Sequence, residues 1–168
     1  MKKEVILKGK GFILRPYRKG DEFSVLKNSR NRKYTLKEAK KWISDIIKTY
    51  KKEDIITFTI DVGGFSVGHI SGNFDDRKPH IFGIWYYLGE KYHGKGIMSE
   101  AIKLYTKYLF KIFKKLQRIE AETHPGNVGS QSVLEKNGFK LEGVLRKHEY
   151  FHGKLTDKYL FSKLRNER

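Results

Sequence analysis

Cysteine is absent from this 168-residue chain. The protein can therefore form no disulfide, no cysteine-ligated metal site and no thiolate nucleophile, a composition typical of cytoplasmic proteins. Long apolar runs are also lacking, because no segment approaches the roughly 18 apolar residues of a membrane-spanning helix. The N-terminus, Met1 to Lys8, has no apolar stretch of signal-peptide length. We therefore expect a cytoplasmic protein that does not enter a membrane.

Acidic residues are few relative to basic ones. The chain has 36 Lys and Arg residues against 19 Asp and Glu, which gives a formal net charge of +17. A field of this sign attracts polyanions such as nucleotides, coenzyme A, nucleic acid or an acidic protein, and it repels polycations. A lysine-rich solvated surface would have the same composition, so both interpretations stay open.

The length and the 38% apolar content predict one domain that spans residues 1–168. Apolar alternation predicts strands at Phe12 to Tyr17, Ile55 to Val62, Ser66 to Asn73, Ile81 to Leu88, Arg118 to Thr123, Leu141 to Phe151 and Leu155 to Leu164. Helical spacing predicts helices at Asp21 to Asn28, Leu36 to Tyr50, Ile97 to Leu116 and Val128 to Asn137. The order is β-α-α-β-β-β-α-β-α-β-β, that of an α/β chain.

Local signals mark the ends of several of these elements. Thr35 and Glu38 form a capping-box pattern before the second helix. Gly63-Gly64 and His152-Gly153 are typical of hairpin turns. The segment from Asp75 to Pro79 is predicted as a loop, and Asn28 to Tyr34 as a polar connection between helices.

The central feature is the stretch from Tyr87 to Ala101, where an aromatic strand runs through a glycine-containing loop into a long amphipathic helix. The glycines allow backbone N–H groups to approach a ligand, and the first helical turn leaves N–H donors unpaired at the positive end of its dipole. Lys91, His93 and Lys95 add positive charge. The stretch therefore predicts a site for a phosphate or pyrophosphate.

Two common phosphate-binding motifs do not fit this loop. The P-loop pattern Gly-x-x-x-x-Gly-Lys-Ser/Thr is absent from the sequence. A dinucleotide fingerprint requires a small third residue where this chain has Ser99, and it normally follows the first strand of its unit. Here at least three predicted strands precede the loop.

The loop instead resembles the pyrophosphate loop of the GNAT superfamily of acyl-CoA-dependent N-acetyltransferases. That pattern is Gln/Arg-x-x-Gly-x-Gly/Ala, and this chain has Lys91 in the first place, followed by Gly94 and Gly96. A second GNAT signature, Asn-x-x-Ser-x-x-x-Leu-Glu-Lys-x-Gly-Phe, matches residues 127–139. The segments 141–145 and 149–154 are similar to the C-terminal hairpin of the RimJ/RimL branch, which acetylates the N-terminal amine of ribosomal proteins.

The resemblance implies a GNAT fold, with a mixed and mostly antiparallel sheet flanked by helices. It also implies acetyl-CoA as co-substrate and no metal ion. The residues expected to contact acetyl-CoA are Tyr86, Tyr87, Leu88, His93, Gly94, Lys95, Gly96, Ile97, Met98 and Asn127. Asn127 would meet the pantetheine arm, and the same residue also fits a helix N-cap.

The expected catalytic residues come from the same resemblance. An amine attacks a thioester only when neutral, and the departing thiolate benefits from an acid. Many GNAT enzymes use a tyrosine as that acid, but this chain has Leu134 at its position. By similarity to RimL-like enzymes, Glu149 is the expected base and Ser130 the expected acid. His80, on the strand before the loop, is an alternative base.

The acceptor is expected to be the N-terminal amine of a protein, either acidic or ribosomal. A polyamine or another small amine is the alternative acceptor, although a protein of charge +17 would repel a polycation. An alternative from another class is a GNAT-fold module without activity that binds the ribosome or nucleic acid. Nonspecific contact with nucleic acid and assembly as a homodimer both remain open at this point.

Overall fold

The computed structural model describes residues 5–28, 35–52, 55–75, 77–151 and 153–167, and for residues 50–52 it describes the backbone only. Three features predicted from the sequence therefore lie wholly or partly outside the described residues. They are the polar segment that follows Asn28, the apolar side chain of Tyr50, and His152 in the final turn.

The described chain forms eight strands, four α-helices and one short 3₁₀ turn. The strands are β1 (Leu7–Gly9), β2 (Phe12–Arg15), β3 (Ile56–Val62), β4 (Phe65–Asp75), β5 (Lys78–Leu88), β6 (Arg118–Thr123), β7 (Lys140–Phe151) and β8 (Lys154–Leu164). The helices are α1 (Asp21–Asn28), α2 (Leu36–Lys52), α3 (Ile97–Ile112) and α4 (Val128–Lys136), and the 3₁₀ turn is Glu90–Tyr92.

The sheet order is β1-β2-β3-β4-β5-β6-β8-β7. Strands β5 and β6 pair in parallel, with Ile81 opposite Arg118, and α3 is the helix that connects them. Antiparallel pairing joins β1 to β2, β2 to β3, β3 to β4, β6 to β8 and β7 to β8. The prediction of a mixed, mostly antiparallel α/β sheet with one crossover helix is confirmed.

Three local predictions were wrong. The helix predicted to run from Ile97 to Leu116 ends at Ile112. Strand β1 was missed because three residues carry too little alternation to be recognised, and its turn into β2 depends on Gly11 at a φ of +78°. The segment from Asp75 to Pro79, predicted as a loop, belongs mostly to strands, since β4 ends at Asp75 and β5 begins at Lys78. The strand ends were not recognised because Asp75 and Pro79 are residue types that are rare within strands.

Contacts between residues divide the chain into two compact units. The first consists of Met1–Asn73 and Tyr86–Tyr105, and the second of Phe74–Trp85 and Thr106–Arg168. Fully buried side chains in the first unit include Leu14, Phe58, Ile60, Ile70, Ile102 and Tyr105. Those in the second unit include Phe82, Leu109, Leu116, Ile119, Leu134 and Phe161. Each unit therefore has an apolar core that supports its own polar residues.

The start of α2 shows how the sequence fixes a helix boundary. The backbone N–H of Thr35 donates to Glu38 Oε2 at 2.7 Å, and the N–H of Glu38 donates to Thr35 Oγ1 at 3.2 Å. These reciprocal bonds form the capping box that the sequence predicts. They also lower the pKa of Glu38, because both the N–H and the hydroxyl of Thr35 stabilise its carboxylate.

Candidate active site

The loop between β5 and α3 exposes its backbone as the glycine spacing predicts. Gly94 and Gly96 have φ angles of +72° and +74°, which residues with a Cβ rarely adopt. A Cβ built on either glycine would meet no atom within 4 Å, so the space beside the backbone is open. The side chain of Met98 is buried, so Met98 offers a ligand only its backbone. The loop and the first turn of α3 can therefore receive an anion on their N–H groups.

Side chains around the loop are partly held by the first unit itself. His93 Nε2 lies 2.7 Å from the carbonyl oxygen of Leu88, a hydrogen bond that ties the loop to the end of β5. Lys95 Nζ lies 5.6 Å from the centre of the Tyr92 ring, within cation–π distance. Tyr87 donates its hydroxyl hydrogen to the carbonyl of Asn28. These bonds order the residues predicted to contact the cofactor.

In the second unit, Asn127 caps α4. Its Oδ1 accepts a hydrogen bond from the N–H of Ser130 at 3.1 Å, and its carbonyl accepts from the same N–H at 3.0 Å. The N-cap role that the sequence allowed for Asn127 is confirmed. Ser130 lies in the first turn of α4 and is half-buried. Leu134, at the position where many GNAT enzymes have a tyrosine, is fully buried in the core.

Glu149 lies at the centre of a cluster of charged side chains in the second unit. Its Oε1 lies 2.9 Å from His124 Nε2, and its Oε2 lies 2.8 Å from Lys158 Nζ. Lys158 also lies 3.1 Å from Glu122, which contacts His148 at 3.8 Å. The hydrogen bond from Lys158 lowers the pKa of Glu149, assisted by the positive charge of Lys158.

A bulge in β7 creates this cluster. Leu145 is opposite Lys158 and Glu149 is opposite Thr156, so three residues of β7 face one residue of β8. Within the bulge, Lys147 has a φ of +50°, and its N–H donates to Asp157 Oδ1 at 2.8 Å. Bulges change the direction of side chains and are frequent beside active sites. Here the bulge shifts the pairing of β7 with β8 and so places Glu149 opposite Thr156.

A pocket of about 510 Å³ lies beside the cluster. It is lined by His124, Pro125, Gly126, Phe151, Leu155, Thr156 and Asp157. The His124 ring packs against Phe151 with 4.2 Å between centroids. The pocket is therefore apolar along one side and has a histidine and a carboxylate in its wall, an arrangement that can bind a small group and exchange a proton with it.

His80, the alternative base, is placed differently. Its side chain is exposed near the start of β5, and its carbonyl accepts a hydrogen bond from the N–H of Gln117 at 2.9 Å. His80 neither contacts Glu149 nor lines the pocket in the part of the chain that the structure describes. The histidine in contact with the predicted catalytic carboxylate is His124.

Sequence reasoning also missed an aromatic group in the first unit. The His69 ring lies 5.9 Å from Trp42 and 6.1 Å from Tyr87, measured between centroids. Burial lowers the pKa of His69 to about 4, so the ring is neutral at physiological pH. A histidine within a strand gives no sequence signal of its aromatic neighbours, because they come from a helix and from another strand.

Two further findings concern metal ions and membranes. Within the described ranges, no group of three or more His, Asp or Glu side chains is arranged to hold a metal ion. None of the helices described above combines the length and the apolar character that crossing a bilayer requires.

Comparison with known proteins identifies the family. Residues 12–140 match the family described as acetyltransferase (GNAT) domain. The chain belongs to this family. The match covers strands β2 to β6, the glycine loop and α4, so the resemblance inferred from the motifs is confirmed.

Individual GNAT relatives match parts of the chain. The probable N-acetyltransferase YjcK of Bacillus subtilis (strain 168) is 47% identical over 74 residues, which are 44% of this chain and 40% of that protein. The ribosomal-protein-serine acetyltransferase of Escherichia coli (strain K12) is 29% identical over 98 residues, which are 58% of this chain and 54% of that protein. The matches thus span about half the length of these two relatives.

A solved GNAT structure matches nearly the whole fold. It is RimL, a ribosomal alpha-N-protein acetyltransferase in complex with coenzyme A, which superposes with a TM-score of 0.83 at 21% sequence identity. The superposition covers 95% of this chain and 98% of that one. At this identity the likeness shows the shared fold.

Proposed function

We propose that the protein transfers the acetyl group of acetyl-CoA to the N-terminal amine of another protein, by direct attack within a ternary complex. The observation that carries this proposal is the contact of Glu149 with His124 at 2.9 Å, beside a pocket of about 510 Å³ in whose wall His124 lies. A pocket of this kind can take up a small terminal residue while the carboxylate–histidine pair removes the proton of its amine.

The open glycine loop supports acetyl-CoA as the co-substrate. Gly94 and Gly96 leave space beside the backbone, and α3 adds the N–H groups of its first turn. These donors fit the pyrophosphate of coenzyme A, the group that the related RimL structure contains. The contacts of Tyr86, Leu88, Ile97 and Asn127 with the cofactor are part of the same proposal.

The reaction requires deprotonation of the acceptor ammonium and protonation of the leaving thiolate. Glu149 supplies the negative charge that favours loss of the amine proton. The neutral nitrogen then attacks the carbonyl carbon of the thioester, and the C–S bond breaks as the tetrahedral intermediate collapses. Ser130 is the proposed acid toward the sulfur, because the buried Leu134 has no proton to give.

A protein terminus is favoured over a polyamine by charge. The net charge of +17 raises the local concentration of acidic partners and lowers that of polycations. Relatives named as ribosomal-protein-serine and ribosomal alpha-N-protein acetyltransferases support the same acceptor class. The pocket wall of Phe151, Leu155 and Pro125 suits a small terminal side chain better than an extended chain of amines.

Thiol release from acetyl-CoA tests the acceptor. The panel comprises peptides with N-terminal Ser, Ala or Met in acidic and neutral contexts, matched peptides with a blocked N-terminus and a free lysine, and spermidine. We expect turnover with the free N-termini and a higher kcat/KM in the acidic context, an advantage that shrinks as salt screens the field. Turnover with spermidine alone, or no turnover although acetyl-CoA binds, would contradict the proposal.

Gly96→Val tests the cofactor loop. A side chain at a φ of +74° costs roughly 1–2 kcal/mol and would occupy the open space beside the backbone. We expect the Kd for acetyl-CoA, measured by titration calorimetry, to rise at least about tenfold. Gly63→Val is the matched control, because Gly63 has a φ of +60° in the β3–β4 turn and equally open surroundings. Equal affinity in the two variants would exclude the loop as the pyrophosphate site.

A further inference from the structure

We infer that His124 takes the proton from the acceptor amine, and that Glu149 positions His124 without touching the amine itself. The inference rests on the proposed acetyl transfer, because it concerns the proton that the same amine must lose. It assigns a role to a residue that the sequence did not single out, and it changes the role expected for Glu149.

The first step of the argument is that Glu149 has little capacity left to accept a proton. Both of its oxygens are within hydrogen-bond distance of a donor, Oε1 of His124 Nε2 and Oε2 of Lys158 Nζ. The lowered pKa of its carboxyl reflects the same contacts. A group whose ionised form is held by two donors is a weak base toward a third.

The second step concerns the tautomer of His124. An ionised carboxylate only accepts hydrogen bonds, so the 2.9 Å contact with Glu149 requires a proton on His124 Nε2. In the neutral ring this leaves the lone pair on Nδ1, the nitrogen that can accept a proton from a substrate. A carboxylate bonded to one ring nitrogen also stabilises the imidazolium that forms when the other is protonated.

The third step is that His124 is held firmly at the pocket wall. Its carbonyl accepts hydrogen bonds from the N–H of Asn127 at 2.9 Å and from Gln131 Nε2 at 3.2 Å. Its ring packs on Phe151 at 4.2 Å between centroids, and only 27% of the side chain is exposed. The same side chain lines the pocket, so an amine bound there lies beside the His124 ring.

The proton balance of the step is complete. The ammonium form of the acceptor gives one proton to solvent before attack, and its nitrogen then forms the bond to the carbonyl carbon. His124 Nδ1 takes the second proton from the nitrogen of the tetrahedral intermediate. The C–S bond breaks with its electron pair on sulfur, and the thiolate takes up one proton. The products are the amide and coenzyme A, and the proton on His124 returns to solvent.

The charged groups around His124 come from three strands. They are Glu122 on β6, His148 and Glu149 on β7, and Asp157 and Lys158 on β8. Glu149 directly favours the imidazolium, whereas Lys158 opposes it and is itself paired with Glu122 and Glu149. His124 can accept the amine proton only while its Nδ1 carries a lone pair.

His124→Gln and His124→Ala test the role of His124 with any amine that the wild-type protein acetylates. We expect each variant to lose roughly 100-fold in kcat/KM. Added imidazole is expected to restore part of the activity of His124→Ala in a dose-dependent manner, which a purely structural residue would not show. His80→Gln is the control, since the His80 side chain is exposed and lies outside the pocket lining and the Glu149 cluster, and its kcat/KM should stay within about twofold.

Histidine NMR tests the same inference without acetyl transfer. In the free protein the ¹⁵N shifts of His124 are expected to report a proton on Nε2 and a lone pair on Nδ1, and Glu149→Gln should weaken that preference. A proton on Nδ1 in the wild-type protein, or a His124→Gln variant that keeps its rate, would overturn the inference. If no amine is acetylated, the proposed function is wrong. The tautomer seen by NMR still tests separately whether His124 Nδ1 has a lone pair that can accept a proton.

Discussion

Arg15→Met should lower the free energy of unfolding by about 3–5 kcal/mol, the usual cost of removing one partner from a buried ion pair. Arg15 is 3% exposed and donates from Nε to Asp61 at 2.7 Å, and from both terminal nitrogens to Asp21 at 2.7 and 2.8 Å. Burial alone would lower the pKa of the guanidinium, but the two carboxylates outweigh that effect and raise it. Without Arg15, two buried carboxylates lose the cation that they share.

The chain supplies a matched control for this change. Arg18 lies 4.0 Å from the same Asp61, but its side chain is 59% exposed. Arg18→Met should therefore cost at most about 0.5 kcal/mol by chemical denaturation. In the Arg15→Met background, Asp61→Asn should recover part of the loss, because it removes one of the uncompensated charges. Equal losses for Arg15→Met and Arg18→Met would show that the buried network does not stabilise the first unit.

Glu149→Gln should reduce kcat about 100-fold or more while the protein stays folded. The glutamine amide has no negative charge with which to position His124. Lys158 would then keep one carboxylate partner, Glu122. Burial alone would lower the pKa of Lys158, but the hydrogen bonds to Glu149 and Glu122 have the larger effect. The pKa of Lys158 is therefore raised. We expect the KM for acetyl-CoA to change little, because Glu149 is not among the residues predicted to contact the cofactor.

Glu142→Gln is the control for Glu149→Gln. Glu142 also lies on β7, and hydrogen bonds from Ser162 and Arg118 lower its pKa, so the two substitutions remove similar charges. Glu142 does not line the pocket beside His124. Its variant should keep kcat within about twofold of wild type. Similar kcat values for the two variants would contradict a catalytic role for the Glu149 cluster.

The cofactor loop could be predicted from the sequence because its chemistry is local. Gly94 and Gly96 must adopt positive φ, a helix must follow, and both features are determined within ten residues of chain. The cap of Asn127 is local in the same sense, since it acts on Ser130 three positions later. Short-range patterns of this kind need no knowledge of strand register.

The environment of Glu149 could not be predicted in the same way. Its partners His124 and Lys158 come from the end of β6 and from β8, and they meet Glu149 through the bulge at Lys147. A two-residue register shift depends on the pairing of two strands, for which the sequence gives no alternation signal. For the same reason His80 could be considered as a base, although the structure leaves its side chain exposed.

The most direct test of the account is to locate the acetyl group in the product. A peptide with a free N-terminal serine and one internal lysine would be incubated with the protein and acetyl-CoA, and the product fragmented by mass spectrometry. The account predicts a single acetyl group on the α-amine, absent when acetyl-CoA is omitted and strongly reduced with Glu149→Gln. Acetylation of the lysine side chain with an unmodified N-terminus would contradict the proposed function.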